Sequence, residues 1–354
     1  YCGKNILYLC SNYLLMDYQE ILSAIRALPS HQQANLIAEL TGNESAPDYL
    51  SLRRNQLINK QVGCPHCGSL RFYRFGKDKG SQRFKCRACS RTFTEYTGTW
   101  LAGLHKKELV NDYLELMHKS MSLDKIKFAL SINKKTAFDW RHKVLSSLEE
   151  VRKDDFNGIV ESDETFFLLS EKGKEQQTRK GRKRGGSSSS RGVSKDQVAV
   201  IVTSDRKGAM DMKVVTLGRI SKADIENAIG NRIEKDSILC ADGHVSYKGF
   251  AKDNQLSLVV LRADLKQYVK NGIYHIQTVN SLHNRVKKWI DSTFWGVSTK
   301  YLQNYLNWYR VQQAVKSSLR PTEEVVKYTT LDLLSLTRYR TIGEKYQTLK
   351  ATHL

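Results

Sequence analysis

Two Cys-x-x-Cys units, Cys64-Pro-His-Cys67 and Cys86-Arg-Ala-Cys89, are separated by eighteen residues. At that separation four thiolates can surround one tetrahedral zinc ion, and so short a segment cannot bury a core of its own without it. The spacing predicts a zinc ribbon over 61–99, with Cys64, Cys67, Cys86 and Cys89 as ligands. Four thiolates leave no open coordination position, so the expected role is structural. His66, inside the first knuckle, is the weaker ligand candidate. Cys2, Cys10 and Cys240 stand alone, so the seven cysteines do not read as a disulfide framework and suit a reducing compartment.

Charge narrows the partner. The 354 residues hold 57 Lys+Arg against 36 Asp+Glu, a formal net charge of +21. Such a surplus attracts a polyanion, most commonly nucleic acid; a solubilising surface or an anionic membrane is the alternative. No apolar run reaches the length of a membrane span, and the mildly apolar stretch 5–15 is interrupted by Cys10, Ser11 and Asn12, which argues against a signal peptide. Around the knuckles Arg71, Arg74, Lys77, Lys79, Arg83, Lys85, Arg87 and Arg91 interleave with Phe72, Tyr73, Phe84 and Phe93. Cations beside aromatics suit phosphate contact plus base stacking. Phe84 and Phe93 read instead as the ribbon's own small core.

Residues 1–60 form an N-terminal helical segment, because Ile21, Ile25 and Leu28, then Leu36, Ile37 and Leu40, recur at helical spacing. Within 100–150 lies a helix-turn-helix pattern. Ser122 caps a first helix that turns Ile126 and Ala129 inward. A break at 131–133 follows, and Asn133 caps a second helix with Ala137, Trp140 and Val144 buried. That second helix is expected to offer Lys134, Lys135, Thr136, Arg141 and His142 to a DNA major groove.

From 151 to 320 short apolar runs alternate with helical periodicity, the mark of an α/β domain. Strands are expected at 159–169, 197–203, 212–217, 238–241 and 256–261, with helices at 222–233, 278–291 and 298–314. This order is that of an RNase H-like mixed sheet flanked by helices. A basic insertion, 171–196, carries nine Lys/Arg, including Arg182, Lys183 and Arg184, against three Asp/Glu. A solvated loop and a DNA contact explain it equally well. Residues 321–354 read as a C-terminal helical tail.

Asp163 sits between apolar flanks in the first of those strands, and Asp242 ends a later one. A carboxylate in a core strand is costly unless a cation or partner holds it. Two acids at the ends of neighbouring strands can hold divalent metal over the sheet edge. Taken singly, Asp242-Gly243 reads as a turn and Asp163 as a paired surface acid.

The ordered set is more specific than its parts. The two knuckles, Phe93-Thr94 with Thr97-Gly98-Thr99, Asp163-Glu164-Thr165, Asp242-Gly243 with Tyr247, and His275-Ile-Gln-Thr-Val-Asn280 with Lys287 occur in that order, followed by the stretch from Gly296 to Asn307. In this the chain resembles insertion-sequence transposases of the fifteen-ninety-five family, relatives of the eukaryotic Merlin elements. The resemblance implies Asp163 and Asp242 as metal-binding acids, Asn280 as third ligand and Lys287 as trailing base. It also implies Mg²⁺ (or Mn²⁺) at that site, and double-stranded DNA as partner, both terminal inverted repeats and target. A homodimer on DNA and a cytoplasmic, nucleoid-associated location follow, with no membrane. Asn280 brings a hard oxygen but no charge. Glu161, two residues from Asp163 on the same strand face, is expected to compensate. The uncharged third position leaves open a DNA-binding regulator without catalysis; a structure-specific nuclease of the same fold is the other alternative.

Overall fold

The computed structural model describes residues 17–27, 49–78, 80–149, 151, 153–173, 186, 192–318, 321–330 and 339–351. Two compact units divide at Asp48. In the first, α1 (Tyr18–Ala27) opens on a reciprocal pair: Asp17 accepts from the Glu20 N–H and Glu20 from the Asp17 N–H, both at 2.9 Å. Leu28, Leu36, Ile37 and Leu40 lie outside the described residues.

The second unit begins with α2 (Tyr49–Ile58), which packs on a three-stranded antiparallel sheet of β1 (Phe72–Asp78), β2 (Ser81–Cys86) and β3 (Thr92–Phe93). Leu57 joins Phe72, Phe84 and Phe93 in its core. Phe84 and Phe93 stack at 5.5 Å between centroids, as their core reading predicts.

Next come α3 (Val110–His118), α4 (Leu123–Leu130) and α5 (Lys134–Ser147). The Ser122 hydroxyl caps α4 and the Asn133 carboxamide caps α5, accepting from Lys125 N and Thr136 N. Ser131, at φ 50°, ends α4 in the left-handed region. Ile126, Ala137, Trp140 and Val144 are buried as expected, whereas Ala129 is exposed. Ile132, from the turn, takes the inward position that Ala129 was expected to hold.

The central sheet runs β6-β5-β4-β7-β8, from β4 (Ile159–Leu168), β5 (Gln197–Asp205), β6 (Met210–Leu217), β7 (Ile238–Asp242) and β8 (Ser257–Leu261). The first three strands pair antiparallel; β4, β7 and β8 pair parallel. Alternation along β5 decides which helices cover which face. Ala199 and Ile201 pack against α6 (Lys222–Ile229) and α7 (Val245–Asp253). Val198, Val200 and Val202 pack against α8 (Gln277–Phe294) and α9 (Thr299–Ala314). A short hairpin, β9 (Val269–Lys270) with β10 (Tyr274–His275), leads into α8. This is the RNase H-like mixed sheet flanked by helices that the element order implied; α7 and the hairpin were not foreseen.

α9 faces two ways. Leu302, Leu306 and Tyr309 sit over the sheet, while Tyr305, Trp308 and Val311 join the core of the helix-turn-helix region. The C-terminal helices α10 (Pro321–Thr330) and α11 (Tyr339–Ala351) complete the described chain.

Candidate functional site

Strands β4 and β7 are parallel neighbours, with Glu161 paired to Cys240. Two residues further along each stand Asp163, midway along β4, and Asp242, the last residue of β7. Carboxylate oxygens of Asp163, Glu164 and Asp242 lie within 4.8 Å of one another. Burial, then Glu164 and Asp242 nearby, pushes the Asp163 carboxyl up to about 8. Burial raises Glu164 as well, followed by the charge of Asp242. Glu164 Oε2 is buried with no hydrogen-bond partner, while Asp242 Oδ1 accepts from the His244 N–H at 2.9 Å. Three converging carboxylates with an orphaned buried oxygen are what a hard divalent cation such as Mg²⁺ or Mn²⁺ satisfies.

Glu164 was not among the sequence candidates. Neighbours on a strand point to opposite faces, so alternation placed it away from Asp163. Their carboxylates meet all the same, beside that of Asp242 at the end of β7. Its position inside Asp163-Glu164-Thr165 was the available signal.

The residue that the resemblance implies as third ligand lies on α8. Asn280 is exposed in its first turn and, with Asp242, Gly243, Arg262, Tyr268 and Gln277, lines a cleft of about 580 Å³. Lys287, two turns on, is half-buried over Phe167, its ammonium 5.9 Å from the ring centroid, and burial lowers its pKa. Between them His283 is buried, its Nε2 without a hydrogen-bond partner. Burial, then Lys287, pushes its imidazole down to about 4.

Glu161 does not supply the compensating charge. Its side chain is 1% exposed and fully engaged elsewhere. It accepts from Thr278 N at 2.9 Å, Thr278 Oγ1 at 2.8 Å and Val279 N at 3.2 Å, and pairs with Arg206 at 2.8 Å. The residue before α8 is Ile276, which has no side-chain cap to offer, so Glu161 caps the helix from the sheet. Glu164 occupies the place Glu161 was expected to fill.

The four cysteines of the ribbon also converge. Cys64 and Cys89 Sγ are 3.8 Å apart and Cys67 and Cys86 Sγ 3.7 Å, all four within 4.8 Å. Thiolates about 2.3 Å from a tetrahedral zinc stand about 3.8 Å from one another, so the set fits that ion. The Cys89 N–H brings the Cys86 thiol down to about 7. Gly63 lets the first knuckle close: a Cβ there would lie 2.0 Å from the Gly68 carbonyl oxygen.

On the helix-turn-helix, Lys134 and Lys135 are exposed and Thr136 half-exposed at the start of α5, with Lys134 paired to Asp124 at 3.0 Å. Arg141 and His142 are not on that surface. Arg141 is 2% exposed, donates to the Met121 carbonyl at 2.6 Å and lies over the Phe294 and Trp308 rings. His142 stacks on Tyr301 at 4.0 Å. Beyond its first turn, α5 is wrapped by α9, so its later polar positions face protein rather than solvent. Outside α9's reach, Lys135, Thr136, Asp139 and Lys143 share a concavity of about 770 Å³ with His105 and Lys106. No local pattern links those last two residues to α5. Arg182, Lys183 and Arg184 lie outside the described residues.

The ribbon's outer face carries the exposed rings of Tyr73 and Phe75. Arg83 and Lys85 lie 5.0 and 5.1 Å from the Phe75 centroid, and Arg87 lies 4.9 Å from that of Tyr73. Among the described residues no helix is long and apolar enough to cross a membrane.

Comparison with known proteins bears on this assembly. An uncharacterized protein in transposable element ISH50 of Halobacterium salinarum is 27% identical over 272 residues, covering 75% of this chain and 89% of that protein. Two solved structures were matched at low similarity. A Mos1 transposase paired-end complex with left transposon end is 12% identical at a TM-score of 0.22, covering 64% of this chain and 82% of the other. A pre-cleavage Mos1 transpososome is 10% identical at a TM-score of 0.19, covering 63% and 80%. Scores this low carry no structural argument. The family model of the ISXO2-like transposase domain matches residues 155–310, from just before β4 to the end of the sheet-covering part of α9. The segment that carries Asp163, Glu164, Asp242 and Asn280 is thus the one that is similar to the ISXO2-like transposase domain.

Proposed function

We propose that this chain is a DNA transposase that binds terminal inverted repeats, cuts a phosphodiester at the element end and joins the freed 3′-hydroxyl to target DNA. The observation that carries the reading is the convergence of Asp163 and Glu164, midway along β4, with Asp242 at the carboxyl end of β7. Asn280 stands across the same cleft from Asp242.

Asp163, Glu164 and Asp242 hold the divalent cations, with the Asn280 carboxamide oxygen as a neutral fourth donor. Bound there, divalent ions activate the attacking oxygen and stabilise the leaving oxygen of an in-line displacement at phosphorus. Glu161 fixes the start of α8 and with it the distance of Asn280 from Asp242. Lys287 offers its ammonium to a DNA phosphate beside the cut, and its half-burial sharpens that attraction. Cleavage and joining are the same displacement with different nucleophiles, so one site serves both.

The ribbon, held by zinc on Cys64, Cys67, Cys86 and Cys89, places Tyr73, Phe75 and their cations against DNA. Lys134, Lys135 and Thr136 lead α5 into the major groove beside His105, Lys106 and Lys143. Two element ends must be joined, so the working form on DNA is a homodimer or larger.

Labelled duplexes cut from the DNA on either side of the gene, incubated with the protein and Mg²⁺, test this. Cleavage with joining is expected. Cleavage alone would make the protein a structure-specific nuclease, and binding alone a regulator derived from a transposase.

A further inference from the structure

The chain between β8 and α8 exposes apolar surface where a soluble enzyme has least reason to. Leu265, Tyr268, Val269 and Ile273 are 58%, 58%, 42% and 53% exposed within nine residues of chain. Scattered exposed apolar side chains need no explanation, but a cluster marks a surface that something covers. This cluster borders the catalytic cleft, since Tyr268 lines it together with Asp242 and Asn280.

Its backbone is held in place rather than loosely tethered. Arg262 and Gln267 form an isolated antiparallel bridge, and β9 pairs with β10 through Val269–His275 and Lys270–Tyr274. Arg206 donates to the Ile273 carbonyl at 3.3 Å and pairs with Glu161, which ties the hairpin to the same carboxylate that caps α8. Apolar tip and catalytic asparagine are therefore set by one anchor.

The occupant follows from charge and place. Lys266 and Lys270 punctuate the apolar residues, while Arg262 is held by Asp264 at 2.6 Å; exposed cations among apolar side chains suit a polyanion carrying hydrophobic faces. DNA offers those faces only where bases are unstacked. The acids that must meet the phosphodiester are recessed, with Asp163 and Glu164 only part-exposed in the middle of β4. A stacked duplex resists bending its backbone into such a recess, and an unstacked step bends readily. We propose that the 262–275 hairpin is a wedge that unstacks the base step beside the scissile phosphodiester, with Tyr268 and Leu265 covering the exposed base faces. The inference rests on the transposase reading and adds strand opening to it.

The test uses the full-length protein and duplexes from the DNA flanking the gene, carrying 2-aminopurine beside the cut position. Measured at saturating protein in Ca²⁺, the readout needs no catalysis. The fluorescence of 2-aminopurine is expected to rise on binding by the parent protein and to stay at the free-duplex level with the Leu265→Ser/Tyr268→Ser double variant. With Mg²⁺, the double variant should cut a fully paired end about tenfold more slowly than the parent, while an end mismatched at that step is cut within about threefold of the parent rate. A fluorescence rise that survives the double substitution, no rise with a parent that binds, or equal slowing on paired and mismatched ends would each overturn the wedge. Loss of cleavage by the parent on both ends would instead count against the enzyme reading, because the fluorescence arm does not depend on it.

Discussion

Glu161 Oε2 accepts the Thr278 backbone N–H at 2.9 Å, linking the middle of a core strand to the first turn of the helix that bears Asn280. The first N–H groups of a helix have no partner within it, and Ile276 supplies none. One buried carboxylate thus satisfies two backbone donors and the Thr278 hydroxyl, and receives Arg206 as counter-charge. Removing it leaves two helix N–H groups without an acceptor and Arg206, a third exposed, without its counter-charge.

Glu161→Ala is accordingly expected to destabilise the fold by about 2 kcal/mol, the usual cost of leaving buried donors unsatisfied. Strand cleavage should fall further than stability explains, because Asn280 loses its register. Glu161→Gln keeps the shape and one accepting oxygen, so it should lie between parent and Ala. Denaturant melts beside cleavage rates check this; equal stability in all three proteins would contradict it.

The two arginine and lysine positions on α5 separate binding from folding. Lys135→Ala should leave the melting midpoint in place and flatten the slope of log affinity against log salt by about 1, the loss of one phosphate contact. Arg141→Ala should act the other way. It empties a site enclosed by Met121, Phe294 and Trp308, costing about 3 kcal/mol of stability. Salt-dependent binding isotherms and melts on both variants distinguish the roles.

Much of this was legible in the chain and some was not, for identifiable reasons. The cysteine spacing, the capping residues Ser122 and Asn133, and one acid on each of two neighbouring strands are local patterns, and the folded chain keeps them; Asp242 ends its strand as expected, while β4 continues five residues past Asp163. Arg141 and His142 were misplaced because a lone helix shows only its own periodicity, and α9, some 160 residues later in the chain, covers the rest of α5. Glu161 was given the place beside Asp163 that Glu164 takes, for a related reason. Strand alternation assigns faces, yet it cannot say which acid finds a helix N-terminus and which turns toward β7.

His142 gives a pH signature. Burial first, then Arg141 and Lys300, pushes its folded pKa down to about 3, against about 6.5 when unfolded. Between those values the unfolded chain binds a proton that the folded one refuses. Stability is therefore complete above about 6.5 and falls as pH drops, by up to about 1.4 kcal/mol per pH unit from this residue. His142→Phe keeps a ring against Tyr301 and should flatten the stability profile between pH 6.5 and 4, about the span just derived. Urea midpoints across that range are the check.

Zinc should be inseparable from the ribbon's fold. Cys86→Ser, or a strong chelator, removes a ligand set on which a small thiolate site depends for on the order of 10 kcal/mol. Zinc content should fall from about one ion per chain, and protease should then cut within 61–99 while the central sheet stays resistant. A ribbon that keeps its protection after metal removal would show that Phe72, Phe84 and Phe93 suffice.

The most direct test of the central assignment is calorimetric titration of the full-length protein with Mn²⁺ in the absence of DNA. Saturable binding at a site lost in Asp163→Asn and in Asp242→Asn, and weakened in Glu164→Gln, is the predicted result. Mn²⁺ binding that is unchanged in both aspartate variants, with melts like the parent's, would contradict it.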